Sequence, residues 1–198
     1  MAATTVIALY GIAALVGILI LVWFGLMFVA TRLSEGTAES FGRVRARLAP
    51  MALTAAWAVA LLATAGSLYF SEVVHYTPCT LCWYQRIAMC PLVIILGIAI
   101  FRRDIGIRIY AIPLAVIGAI ISTYHWLLER IPELDYGACQ AGVPCTQKWF
   151  EEFGFVTMPF LALVAFGLVI TFLLIPPRAP ADDDFELDED EPVAEDES

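Results

Sequence analysis

The sequence predicts an all-α membrane protein of five transmembrane helices followed by a disordered acidic C-terminal tail. Three observations carry this. First, the chain of 198 residues is 61% hydrophobic with a mean hydropathy of +0.81, outside the range of a soluble domain. Second, the apolar residues fall in five runs of about 19 to 26 residues, the length a helix needs to cross about 30 Å of hydrocarbon. Third, Lys and Arg concentrate in alternate connections, as in a multi-pass protein of fixed orientation. The formal net charge of −9 does not describe the body of the chain, because residues 182–198 carry eleven Asp and Glu and no Lys or Arg. The remainder is near neutral and has no basic surface suited to nucleic acid.

Residues 5–30 form the first run. No basic residue precedes it and no clean small-residue cleavage site follows, so it reads as a retained helix rather than a signal peptide. Residues 31–50 are polar, carry Arg32, Arg43, Arg45 and Arg47, and read as a basic cytoplasmic loop. Residues 51–70 make the second span, with Tyr69 and Phe70 at its far end. The short segment from Ser71 to Pro78 has no basic side chain other than His75.

Residues 83–101 make the third span, headed by Trp83 and Tyr84, with Pro91 at mid-length where it should kink the helix. Arg102, Arg103 and Arg108 mark a second inner turn. Residues 109–128 form the fourth span, ending in Tyr124-His125-Trp126. A long loop, 129–156, precedes the fifth span at 157–175, where Pro159 falls in the first helical turn and is tolerated. Arg178 then leads into the tail, which reads as disordered and cytoplasmic. The basic residues put the N-terminus outside and the C-terminus inside. Trp83, Trp126 and Trp149 are expected in an aromatic belt at the outer interface.

This topology brings four of the five cysteines to one side. Cys79 and Cys82 form a C-x-x-C pair at the outer edge of the third span, and Cys139 and Cys145 lie in the long outer loop. Cysteine pairs in outward loops fit an oxidising compartment. Spacings of three and four residues set Cys79, Cys82 and Arg86 on roughly one helix face. A helix starting near Pro78 places Cys82 in the first turn, where free N–H groups, the helix dipole and Arg86 favour a thiolate. The five residues between Cys139 and Cys145 can close a short disulfide, and a short exposed disulfide tends to be labile. Exchange between the pairs would carry two electrons from an aqueous partner to the membrane edge. A lipid-soluble quinone fits the acceptor such a chain requires, and Arg86 is placed to stabilise charge developing on its carbonyl oxygen.

Plainer readings stand beside these. The four thiols could be structural disulfides, or a tetrahedral four-cysteine zinc site in a non-enzymatic scaffold. Arg86 could be an interfacial arginine reaching the headgroups. Cys90, on the same face and deeper, could line a quinone pocket or simply pack. His125 could be a belt residue. Direction of electron flow depends on relative potentials.

The stretch Cys79-Thr-Leu-Cys82-Trp-Tyr-Gln-Arg86, the later His125, the second cysteine pair and Phe-Gly-Phe-Val-Thr-Met-Pro opening the last helix together resemble the DsbB/BdbC family. These are bacterial quinone-dependent oxidases that regenerate a thioredoxin-like disulfide donor. The resemblance covers about residues 51–175. It implies a four-helix transmembrane core there, with residues 1–50 as an additional N-terminal helix and loop and 176–198 as a tail. It implies that Cys79 and Cys82 are the membrane-edge catalytic pair, Cys82 being the member that engages the quinone. Cys139 and Cys145 become the loop catalytic pair, with Cys139 the partner's target. Arg86 and His125 become quinone-site residues. The implied cofactor is menaquinone or ubiquinone, the partner a DsbA-like thioredoxin-fold protein, and the location a bacterial cell membrane with both cysteine pairs extracytoplasmic. No resident metal is implied. The close loop spacing looks like the Gram-positive type. The vitamin K epoxide reductase family also has two pairs, but there the loop pair comes first.

Overall fold

A computed structural model of the chain describes residues 2–135, 137, 139 and 143–175. The acidic tail lies outside the described residues. Five long helices form in chain order: α1 (Ala2–Ala30), α2 (Glu35–Leu68), α3 (Thr80–Arg102), α4 (Arg108–Arg130) and α5 (Met158–Leu173). A π-helical turn, Tyr69–Val73, extends α2, and a 3-10 turn, Pro132–Leu134, follows α4. Among the described residues no strand forms; Glu152 and Val156 make an isolated bridge.

The all-α reading holds, with two differences of extent. Residues 35–50, read from the sequence as loop, are the first four turns of α2. Pro50 and Pro91 lie inside α2 and α3, each of which continues past its proline. The fifth helix is shorter than the expected 157–175, at 16 residues, or about 24 Å at 1.5 Å per residue. By length and composition α1 through α4 can each cross a membrane, and α5 is a shorter apolar helix.

Helices α2, α3, α4 and α5 form a ring in which each packs on its two neighbours, and α1 lies outside it against α5 and the flank of α2. Alanine makes this possible. Ala56 and Ala60 of α2, Ala88 of α3, and Ala111 and Ala115 of α4 are buried around Leu92, Leu96 and Phe166. Small side chains let helix backbones approach where lipid offers no hydrophobic drive between helices. Large apolar side chains face outward instead, among them Leu19 and Leu26 of α1, Ile87 and Ile94 of α3, and Ile117 and Ile120 of α4. An apolar exterior around an alanine-rich interior, with backbone bonds satisfied within helices, suits lipid as solvent.

Gly118 of α4 sits against the fully buried Phe166 ring of α5, and a Cβ there would overlap the ring. Gly118→Ala should therefore destabilise the bundle by about 1–3 kcal/mol, the usual cost of overpacking. The check is the thermal midpoint of the detergent-solubilised protein. Gly25→Ala is the control: an added Cβ there meets nothing within 4 Å, and its midpoint should not fall.

Candidate functional site

The α3 N-terminus builds the centre of the site. Cys79 is its N-cap residue, and the backbone N–H of Cys82 donates to Cys79 Sγ at 3.4 Å. The helix end thus serves Cys79, where the sequence suggested Cys82. The two cysteines are free thiols with Sγ atoms 2.9 Å apart. Cys79 is buried, at 5% exposure. Its contact with Cys82 holds the Cys79 thiol down at about 4. Burial opposes this shift, and His125 and the Cys82 N–H reinforce it. A lowered thiol pKa favours the thiolate.

His125, on α4, reaches both cysteine pairs. The Gln85 side-chain amide donates to its Nδ1 at 3.2 Å. That contact leaves the proton on Nε2, which faces the Cys145 carbonyl oxygen at 3.2 Å and Cys79 Sγ at 3.6 Å. So His125 is a donor wedged between the pairs. His125→Ala should raise the titration midpoint of Cys79 by about one pH unit. The check is site-resolved alkylation against pH. In the wild type the Cys79 rate should be flat between about pH 6 and pH 8.

Cys139 and Cys145 are joined as a disulfide. The sequence suggested an exposed pair, but both are buried, at 6% and 1%, in a cluster with Cys79, Leu81 and Leu128. Tyr124 donates its hydroxyl to Leu134 O at 3.0 Å, and His125 holds the Cys145 carbonyl against α4. The four-cysteine zinc arrangement is not formed. A disulfide takes up two of its donors, and the cluster able to hold a metal among the described residues is Cys79, Cys82 and His125.

Residues of α1, α2, α3 and α5 line an apolar cavity of about 410 Å³. Cys82, Arg86 and Cys90 line it, on one face of α3 as their spacing predicted. Arg86 donates from Nε to Ser67 Oγ at 2.9 Å and from a terminal nitrogen to Ser67 O at 2.8 Å, with its guanidinium 5.2 Å from the Trp83 ring centre. No carboxylate pairs with it among the described residues. Its charge is therefore fixed in direction and not neutralised by an acid. A planar molecule with a polar carbonyl edge fits such a wall. His125, expected in the quinone site, does not line this cavity, and neither does any other residue of α4.

Sequence reasoning missed Ser67, Gln85 and the aromatic outer end of the cavity. Tyr76 stacks between Phe70 at 6.1 Å and Trp149 at 4.8 Å. Trp149, expected in the interfacial belt, is committed to this stack and lines the cavity. His75, which precedes Tyr76, adopts a left-handed backbone, φ +62°. The Trp-Tyr-Gln-Arg string did hold one usable signal: Gln85, a polar residue three positions after Cys82, sits inside a membrane helix, where a polar side chain needs a partner.

Comparison with known proteins bears on this arrangement. The chain matches the family model described as Disulfide bond formation protein DsbB over residues 46–175. It is 52% identical over 124 residues to "Disulfide bond formation protein C" of Bacillus subtilis (strain 168), covering 62% of this chain and 90% of that one. A "Probable disulfide formation protein C 1" of Bacillus anthracis is 49% identical over 116 residues, covering 58% of this chain and 84% of that one. Its namesake in Bacillus cereus (strain ATCC 10987 / NRS 248) is 50% identical over 116 residues, with the same coverage. No solved structure matches the chain.

Proposed function

Since the chain belongs to the DsbB family of disulfide bond formation proteins, and is thus a multi-pass membrane thiol–disulfide oxidoreductase, we propose that it oxidises an extracytoplasmic thioredoxin-fold dithiol protein with a membrane quinone as the electron acceptor. The observation that carries this reading is the apolar cavity onto which Cys82 and Arg86 open. Its size and apolar lining suit a lipid-soluble ligand, and the one charged side chain that lines it among the described residues, Arg86, sits beside Cys82. When bound, menaquinone or ubiquinone supplies a sink for two electrons and two protons.

The chain's own residues do the rest. A thiolate of the reduced, DsbA-like partner attacks Cys139 Sγ, and Cys145 leaves as a thiolate. The partner's second thiol then displaces Cys139, so the partner departs oxidised and the loop pair is reduced. The Cys145 thiolate attacks Cys79 Sγ of a Cys79–Cys82 disulfide, releasing Cys82 on the cavity wall. Cys139 then displaces Cys79, closing the loop disulfide and leaving Cys79 and Cys82 as a dithiol. This reading is supported by the combination observed: Cys139–Cys145 joined, Cys79 and Cys82 free. Oxidation of that dithiol re-forms the Cys79–Cys82 bond and gives up two electrons and two protons. His125 stabilises the Cys79 thiolate by donation from Nε2, and Arg86 aims its charge at the cavity. The net reaction turns one partner dithiol and one quinone into one partner disulfide and one quinol.

The placement of basic residues supports an extracytoplasmic site and a cytoplasmic tail. Residues 51–175 form the catalytic core in this reading, and 1–50 are an addition. The direct test is anaerobic mixing of the purified protein, with Cys79 and Cys82 reduced, with a short-tailed quinone. Alkylation and intact mass should show two thiols lost per quinone consumed. Retention of both thiols would contradict the reading.

A further inference from the structure

Helix α1 stands outside the four-helix ring and wholly outside the matched residues 46–175, yet it forms one wall of the cavity. Tyr10, Ala13, Ala14, Gly17 and Ile20 all line it, recurring at the spacing of one helix face. Tyr10 and Arg86 converge on the same turn of α2. The Tyr10 ring lies over Gly66, where an added Cβ would come within 2.5 Å of it, and its hydroxyl donates to Leu62 O at 3.0 Å. Arg86 grips Ser67, the next residue. Two adjacent residues of α2 thus carry one clamp from α1 and one from α3.

The cavity is also graded in polarity. Arg86, Ser67, Cys82 and the Tyr10 hydroxyl belong to its outer end, while Gly17, Ile20, Val59 and Leu168 line it further in. From Tyr10 to Ile20 the wall runs about 15 Å along α1 at 1.5 Å per residue. Ala13 keeps this stretch open where a larger side chain would fill it, and Gly17 lets α1 close on α5, since a Cβ there would come 2.6 Å from Val164 Cγ1.

We propose that α1 completes the ligand site. Tyr10 closes the polar end beside Arg86, and the small residues inward of it form a trough for the apolar tail of a prenylated quinone. The proposal rests on the quinone reading above and adds the residues that make this chain's site enclosed on the α1 side. The ligand class is a quinone ring bearing an isoprenoid or alkyl tail, and the tail should contribute to affinity through α1.

The test uses the full chain and a quinone carrying a photoreactive group on a short alkyl tail. Peptide mapping should find label within residues 10–20, competed away by excess unmodified quinone. In parallel, Ala13→Phe places bulk in the trough at a position that is already exposed. It should weaken equilibrium binding of the alkyl quinone about tenfold, while reduction of the Cys139–Cys145 disulfide by a thioredoxin-fold dithiol stays unchanged. Competed label confined to residues 82–90 and 158–168, or unaltered binding in Ala13→Phe, would overturn the role of α1 and leave the quinone reading standing. Absence of competed label anywhere would overturn both.

Discussion

Cys82→Ala is expected to limit the protein to a single round of partner oxidation. The loop disulfide Cys139–Cys145 remains intact in this variant, so one equivalent of reduced thioredoxin-fold partner is still oxidised per protein. Turnover then stops, because a reduced loop pair has no disulfide to pass its electrons to. Steady-state oxidation should fall by about a thousandfold or more, as when a group that forms a covalent intermediate is removed. Cys79→Ala should behave alike. Cys139→Ala should differ: it loses the partner-driven burst, yet the Cys79–Cys82 dithiol, reduced by a small thiol, should still be oxidised by quinone. Stopped-flow or quenched measurement of the first turnover separates the two patterns. Undiminished steady-state turnover in Cys82→Ala would remove the C-x-x-C pair from the path. Cys90→Ser should leave turnover intact, since Cys90 lines the cavity but takes part in no exchange step.

Arg86→Ala carries the second large effect. The guanidinium is held by two hydrogen bonds to Ser67 and lacks a carboxylate partner among the described residues. Its charge is therefore available to oxygen that becomes negative as electrons arrive. Removing one preorganised donor of this kind costs about 10²–10³ in rate. The loss should appear in kcat/KM for quinone, while partner-driven reduction of Cys139–Cys145 remains at the wild-type rate. Arg86→Lys should recover part of the activity. Lysine keeps the charge but cannot hold Ser67 with a planar fork. An unchanged dependence of turnover on quinone concentration in Arg86→Ala would reject the assignment.

These two effects rest on residues that are legible in the sequence, and the reason is local. Cys82, Arg86 and Cys90 share one helix face because spacings of four residues put them there, whatever the rest of the chain does, whereas Cys79, the N-cap residue, turns to His125 and does not line the cavity. The five helices are equally legible, since apolar length is a property of each run alone. What depends on long-range packing is not. Residues 35–50 look like a loop because they are polar, yet Glu39 and Arg43 stand four apart and Phe41 packs edge-on against Trp23 and Phe24. A helix there needs no apolar run. The burial of Cys139 and Cys145 goes with the contacts that Tyr124 and His125 of α4 make to the loop, which no spacing within the loop reveals. His125 stands out in the sequence as a candidate for the quinone site. Only the packing of α4 shows that it contacts Cys79 Sγ and the Cys145 carbonyl. The role proposed for α1 is invisible in the sequence because its outward face is as apolar as the face that lines the cavity.

The most direct test of the central claim is the stoichiometry of anaerobic turnover with purified protein, a reduced thioredoxin-fold dithiol protein and a membrane quinone. Quinone absorbance and partner thiols would be followed together. The account predicts one quinol formed for each partner disulfide, over many turnovers, with no quinol from Cys82→Ala. Partner oxidation without quinol, or quinol formation that persists in Cys82→Ala, would contradict it.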